Sequence, residues 1–287
     1  MLLAATWAWT GGPAAADPRG TMLLISSSAT YGLDPASGQL VRQIANGADG
    51  VVSPNRTRVA YVRDLDPCAV PEIEGCRLSR DLLTADLSGG DERAVAHTAD
   101  AVDRYSPDWS PDGSRILFSW SWFDEIGLSW VRPDGSGLET LAFGAGRARF
   151  SPDGKKIAYV QGGNIYLMNV VTRQTRALTS DGDVDGYAPD WSPDGDRIAY
   201  TSWQAVHVVD VKTGASVNLT DGWTAAVDGM HTAVFSPDGN QIAFAAADIS
   251  AYPDGDAVAR IYTVDAAGGQ PRAIADTGGD LTDWVRM

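Results

Sequence analysis

Asp190-Trp-Ser-Pro-Asp-Gly-Asp-Arg-Ile-Ala-Tyr200 decides the fold, because the chain repeats it. The same pattern stands at Asp108-Trp-Ser-Pro-Asp-Gly-Ser-Arg-Ile-Leu-Phe118, Arg149-Phe-Ser-Pro-Asp-Gly-Lys-Lys-Ile-Ala-Tyr159 and Val234-Phe-Ser-Pro-Asp-Gly-Asn-Gln-Ile-Ala-Phe244. A degenerate copy, Val51-Val-Ser-Pro-Asn-Arg-Thr-Arg-Val-Ala-Tyr61, precedes them. The Ser-Pro pairs begin at 53, 110, 151, 192 and 236, a spacing of about 40 residues after the first interval. Each copy reads as strand, tight turn, strand. Proline presets φ at the first turn position, aspartate tolerates the second, and glycine accepts the positive φ that returns the backbone to the ladder.

Working outward, a third strand follows each copy, as in Asn164-Ile-Tyr-Leu-Met-Asn169 and Ala205-Val-His-Val-Val-Asp210. A second turn and a fourth strand ending near Leu178 or Leu219 complete the unit. Four antiparallel strands in about 40 residues make one propeller blade, and a lone blade cannot bury both of its faces. Residues 21–44 carry three strands without a leading one, while Asp280-Leu-Thr-Asp-Trp284 matches a leading strand. The remnants are complementary. The expected fold is all-β, a six-bladed propeller whose sixth blade takes one C-terminal and three N-terminal strands.

The 287 residues carry 22 Lys and Arg against 37 Asp and Glu, a net charge of −15. That balance argues against nucleic acid as a partner, since phosphate binding needs a basic surface. No stretch is long and apolar enough to span a bilayer. Met1 to Trp9 is apolar and Pro13-Ala-Ala-Ala16 offers small residues before Asp17. A leader over residues 1–19 and a propeller over 20–287 are expected, with a mere apolar tail as the alternative because a basic start is missing. Export makes Cys68 and Cys76 a local disulfide; free thiols in the cytosol are the other reading.

The Trp/Phe-Ser-Pro-Asp-Gly turn before a strand resembles the TolB-like β-propeller repeat family, over roughly residues 20–287. The resemblance implies the propeller fold, and in TolB itself a separate N-terminal α/β domain docks partner proteins in the envelope. Residues 1–20 are not expected to supply that domain, so TolB's role in envelope constriction is not expected of this protein. Similar propellers cap prolyl oligopeptidases, where a hydrolase domain supplies the catalysis; no such domain is expected within these 287 residues.

Chemistry is sparse in the sequence. No G-x-S-x-G elbow occurs, and His97, His207 and His231 fall in three different blades. Asp181, Asp183 and Asp185 alternate before Gly186 like the first half of a calcium loop, although Ser192 stands where the bidentate glutamate belongs and the set also reads as a solvated turn. Calcium is thus the one cofactor considered.

Loops entering the leading strands gather round the axis on one face. They place Asp49, Tyr105, Arg147, Tyr187, His231 and Asp280 at equivalent positions. The loops between second and third strands bring Trp120, Trp122, Phe123, Trp203 and Tyr252 to that face, and Trp223 precedes the fifth leading strand. Aromatics among Asp, Arg and His suit a peptide or a sugar. Packing between blades is the competing reading for about half of these rings, and for Trp109, Trp191 and Trp284 in particular. The expected protein is an exported, monomeric, non-enzymatic binder of a protein or peptide. The alternatives are a carbohydrate-binding propeller, or a lyase or hydrolase with its site at the tunnel mouth.

Overall fold

The computed structural model describes residues 21–26, 28–65, 79–96, 102–184, 187–203, 205–223, 227–248, 258–276 and 280–286. The expected leader, both cysteines, His97, Asp185 and Tyr252 lie outside the described residues. Within them are 24 strands in six antiparallel four-stranded sheets, and no helix.

The N-terminal part supplies β1 (Thr21–Ser26), β2 (Thr30–Leu33) and β3 (Leu40–Ala45). The first full blade follows as β4 (Ala48–Val52), β5 (Arg58–Leu65), β6 (Ser79–Asp86) and β7 (Arg93–Ala96). The second comprises β8 (Asp103–Trp109), β9 (Ile116–Trp122), β10 (Glu125–Val131) and β11 (Glu139–Phe143). The third comprises β12 (Gly146–Phe150), β13 (Lys156–Gln161), β14 (Asn164–Asn169) and β15 (Thr175–Ala177). The fourth holds β16 (Asp190–Trp191), β17 (Arg197–Ser202), β18 (Ala205–Asp210) and β19 (Ser216–Asn218). The fifth holds β20 (Val227–Phe235), β21 (Gln241–Asp248), β22 (Val258–Asp265) and β23 (Arg272–Asp276). The last strand, β24 (Asp280–Arg286), pairs antiparallel with β1 from Asp280 opposite Ser26 to Arg286 opposite Thr21. The sixth blade is therefore closed by one C-terminal and three N-terminal strands.

The repeated turn explains itself at atomic level. Ser110 Oγ donates to Asp112 Oδ1 at 2.6 Å, the Ser114 N–H donates to the same oxygen at 2.9 Å, and Arg115 N–H donates to Ser110 Oγ at 2.9 Å. Gly113, at φ 70°, closes the turn onto Ser110 O. The serine-to-aspartate bond recurs at Ser151, Ser192 and Ser236, and Asn55 takes the aspartate's place beside Ser53.

The core is divided rather than central. Each of six apolar clusters is built from two neighbouring blades, for example Val51, Ala60 and Leu82 of the first against Trp109, Ile116 and Phe118 of the second. Trp109, Trp191 and Trp284 are 7%, 6% and 6% exposed, the packing role expected of them. Trp109 Nε1 donates to Val51 O and Trp191 Nε1 to Arg149 O, both at 3.2 Å, tying each blade to its predecessor. The leading strands β4, β8, β12, β16, β20 and β24 pack side by side in a closed ring around the axis.

Candidate functional site

At the end of the axis where the leading strands begin, a cavity of about 500 Å³ opens. Its rim is made by one residue from each blade. Asp49, Tyr105, Arg147, Tyr187 and Asp280 line it, and His231 joins them through Asp280. All six are half-buried.

The inner strands are shaped locally to present these residues. The ladder skips between Ala48 and Val51, between Tyr105 and Asp108, and between Gly146 and Arg149. At these bulges Asp49, Ser106 and Arg147 adopt φ of 54°, 49° and 52°. A bulge frees a backbone N–H and re-aims a side chain, and a non-glycine residue in this region costs about 1–3 kcal/mol. The freed groups are satisfied by side chains of neighbouring strands. Asp49 N–H donates to Ser26 Oγ at 2.8 Å, Ser106 N–H to Asp49 Oδ2 at 3.0 Å, and Arg147 N–H to Ser119 Oγ at 2.6 Å.

The rim residues touch in sequence round the mouth. Arg147 Cζ lies 5.4 Å from the Tyr105 ring and 5.3 Å from the Tyr187 ring. Tyr187 stacks on His231 at 4.8 Å with the planes 13° apart. His231 Nδ1 is 2.6 Å from Asp280 Oδ1. Burial pushes the Tyr105 hydroxyl above its ordinary range, against the opposing pull of Arg147.

Three lining residues were not visible as site candidates. Arg80 holds Asp103 through both oxygens, at 2.6 and 2.9 Å, which keeps the guanidinium charged despite burial. Arg149 sits deeper, donating to Pro107 O at 2.9 Å and Thr282 O at 3.1 Å. It occupies the repeat slot held elsewhere by Asp108, Asp190 and Asp283, so aligning that column of the repeat finds it. Burial raises all three of these acids, Asp108 and Asp190 to about 7, with the Arg149 charge opposing the rise.

The tryptophans are dispersed. Trp120 packs against the cluster between the first two blades, its Nε1 bonded to Ser129 Oγ at 2.8 Å. With Trp122 it lines a second cleft of about 250 Å³, whose lining shares no residue with that of the mouth. Trp223 lies edge-on to Phe244 and Tyr262, at 5.7 and 4.9 Å, and belongs to the fourth-to-fifth blade packing. Trp203 stays 62% exposed and Trp122 43% exposed, outside the lining of the mouth. Of these four rings two, Trp120 and Trp223, pack between blades, as the competing reading has it for about half of them, and two are exposed. Neighbouring blades supply the apolar surface that Trp120 and Trp223 cover.

Asp181 and Asp183 are exposed, in a segment tied to the β13–β14 hairpin by Gly182 N–H on Asn164 Oδ1 (3.0 Å) and Val184 N–H on Gly163 O (3.0 Å). Among the described residues no group of three or more His, Cys, Asp or Glu side chains is placed to hold a metal.

No curated protein matches the sequence. Among solved structures it is similar to TolB from Acinetobacter baumannii, at 19% identity and a TM-score of 0.68, over 92% of this chain. It spans 66% of that protein's length, just under two thirds. A protein described as TolB from Agrobacterium tumefaciens gives 19% identity and a TM-score of 0.66, covering 91% of both proteins. An oligogalacturonate lyase in complex with manganese gives 16% identity and a TM-score of 0.57, over 90% of this chain and 74% of that one. These identities speak to fold alone. Residues 146–283 match the TolB beta propeller domain family. With the five repeats and the six blades, that match makes this protein a six-bladed β-propeller similar to the TolB propeller domain.

Proposed function

We propose that this propeller is a binding protein, which takes a protein or peptide segment at the rim of its axial mouth. The observation that carries the reading is the rim itself. Five blades in succession contribute Tyr105, Arg147, Tyr187, His231 and Asp280 to one line of stacked and hydrogen-bonded side chains around a 500 Å³ opening. Strained backbone and mutually fixed side chains present polar and aromatic groups already ordered, which lowers the entropy lost on binding. The TolB likeness supports a protein partner and a place outside the cytoplasm.

A second reading rests on His231 and Asp280. A carboxylate 2.6 Å from Nδ1 orients an imidazole for proton transfer, and an oligogalacturonate lyase shares the fold. The rim, however, runs on from this pair through Tyr187 and Arg147 to Tyr105, further than a single proton-transfer pair needs. Binding therefore takes precedence.

The test is selection of a phage-displayed random peptide library on the immobilised protein. Synthetic copies of the selected peptides are then measured on Tyr187→Ala and, as a control far from the mouth, Lys155→Ala. Loss on the first variant and retention on the second support the rim. Failure to select any peptide, or binding indifferent to Tyr187, overturns this reading.

A further inference from the structure

Among the arginines of the mouth, Arg147 stands apart. Arg80 is held by the Asp103 carboxylate, and Arg149 by two backbone carbonyls within reach of the charges of Asp108, Asp190 and Asp283. Arg147 has aromatic neighbours, Tyr105 and Tyr187, and among the described residues its guanidinium makes no ion pair or hydrogen bond. The two rings fix the guanidinium in place without using any of its five N–H donors. A half-buried guanidinium with idle donors calls for a planar acceptor, and a carboxylate matches it with two parallel bonds.

The charge around it agrees. The protein as a whole carries −15, which repels anions. The cavity lining carries three Asp (49, 103 and 280) and three Arg (80, 147 and 149), so 3 − 3 leaves it neutral. An acidic group thus meets little net repulsion at the mouth, and there meets in Arg147 a guanidinium whose N–H donors no described side chain uses. A pyranose would need a bare aromatic face. Tyr187 is engaged by Arg147 and by His231, and the exposed Trp122 and Trp203 lie outside the mouth.

We infer that the mouth receives a carboxylate of its peptide partner, an Asp or Glu side chain or the terminal α-carboxylate, in a two-pronged ion pair with Arg147. This rests on the peptide-binding reading above, and the experiment separates the two. Peptides selected on the wild-type protein are synthesised in three forms: as selected, with Asp and Glu changed to Asn and Gln, and with an amidated C-terminus. One of the two neutralised forms should bind at least about tenfold more weakly than the parent, and which one it is identifies the source of the carboxylate. The parent should lose a similar factor on Arg147→Gln and less on Arg147→Lys, both variants first checked by thermal melt. Unchanged affinity in both neutralised forms, or indifference to Arg147→Gln, overturns the inference while peptide binding stands.

If no peptide is selected, the inference is read directly. Protein labelled with ¹⁵N-arginine is titrated with N-acetylglutamate α-amide, its glutamine analogue, N-acetylglycine and galacturonate. The Nε–H resonance that vanishes in Arg147→Lys should move saturably with the glutamate compound or with N-acetylglycine, and not with the glutamine analogue. Equal movement with the neutral analogue, no movement, or tighter saturation by galacturonate than by either peptide-like acid overturns the assignment.

Discussion

Asp108 Oδ2 accepts the backbone N–H of Phe150, one blade further round the ring, at 2.7 Å. Asp190 does the same for Phe235 at 2.7 Å, so carboxylates of alternate blades stitch the inner strands together.

These ties predict how stability follows pH. Burial raises Asp108 and Asp190 to about 7 and raises Asp283 as well; Arg149 is the cation facing all three. A carboxyl that binds its proton more tightly when folded stabilises the fold below its unfolded pKa of about 4. That contribution is lost as pH rises through about 7. A fully dry site would give ~4 kcal/mol for Asp108 or Asp190, but neither residue is fully enclosed, so on the order of 1–2 kcal/mol each is expected. Serine hydroxyls hold Asp112, Asp194 and Asp238 low, which costs stability only below about pH 4. The melting temperature should therefore peak between about pH 4 and 6 and fall towards pH 8. Asp108→Asn with Asp190→Asn should flatten that fall. A wild-type melting temperature that rises from pH 5 to 8 would contradict the account.

Arg56 stands at φ 59° where the other four turns have glycine at φ 69–75° (Gly113, Gly154, Gly195 and Gly239). A left-handed non-glycine residue costs roughly 1–2 kcal/mol, against which glycine adds unfolded-state entropy of about 0.5–1 kcal/mol. Arg56→Gly should therefore raise stability by up to ~1 kcal/mol, a shift of a degree or two in a protein of this length. Gly195→Arg, the reverse exchange in a regular turn, should lower it. Chemical denaturation of both variants checks the pair, and a destabilised Arg56→Gly counts against the turn analysis.

Ring closure rests on β24. Its Leu281 and Trp284 are 2% and 6% exposed, packed with Leu23, Leu33 and Val234 between the fifth and sixth blades. Truncating a buried tryptophan to alanine costs about 3–5 kcal/mol. Trp284→Ala should fall in that range, and deletion of residues 280–287 should do worse, because it also strips the ladder partner of β1. Native-like melting of the deletion variant would show that the seam lies elsewhere.

The blades were legible in the sequence because each turn demands Ser, Pro, Asp and Gly in fixed order, and Asn164–Asn169 and Ala205–Asp210 match their observed strands residue for residue. The rim was legible for the same reason: an offset of four or five residues before the repeated serine, or before Val285 in its place, brings Asp49, Tyr105, Arg147, Tyr187 and Asp280 to one cavity. Arg80 and Asp103 were not, since their pairing depends on how the first blade's third strand faces the second blade. The fate of the tryptophans was hidden too. Whether a loop ring packs or projects is decided by the neighbouring blade, and no repeat position encodes that.

Trp203 and Trp223 make this difference measurable. Both lie beside the fourth and fifth blades, yet Trp203 is 62% exposed while Trp223 rests edge-on against Phe244 and Tyr262. Edge-to-face pairs contribute about 0.5–1.5 kcal/mol beyond the area they bury, and the half-buried ring adds a hydrophobic part of similar size. Trp223→Ala should cost about 2–3 kcal/mol and loosen the contact between β20 and β17. Trp203→Ala should change stability by less than ~0.5 kcal/mol, as surface substitutions usually do. Denaturant titrations of the two variants decide the matter. Equal losses would mean that Trp203 packs as well, and an unaffected Trp223→Ala would mean that its rings contribute nothing to the blade interface.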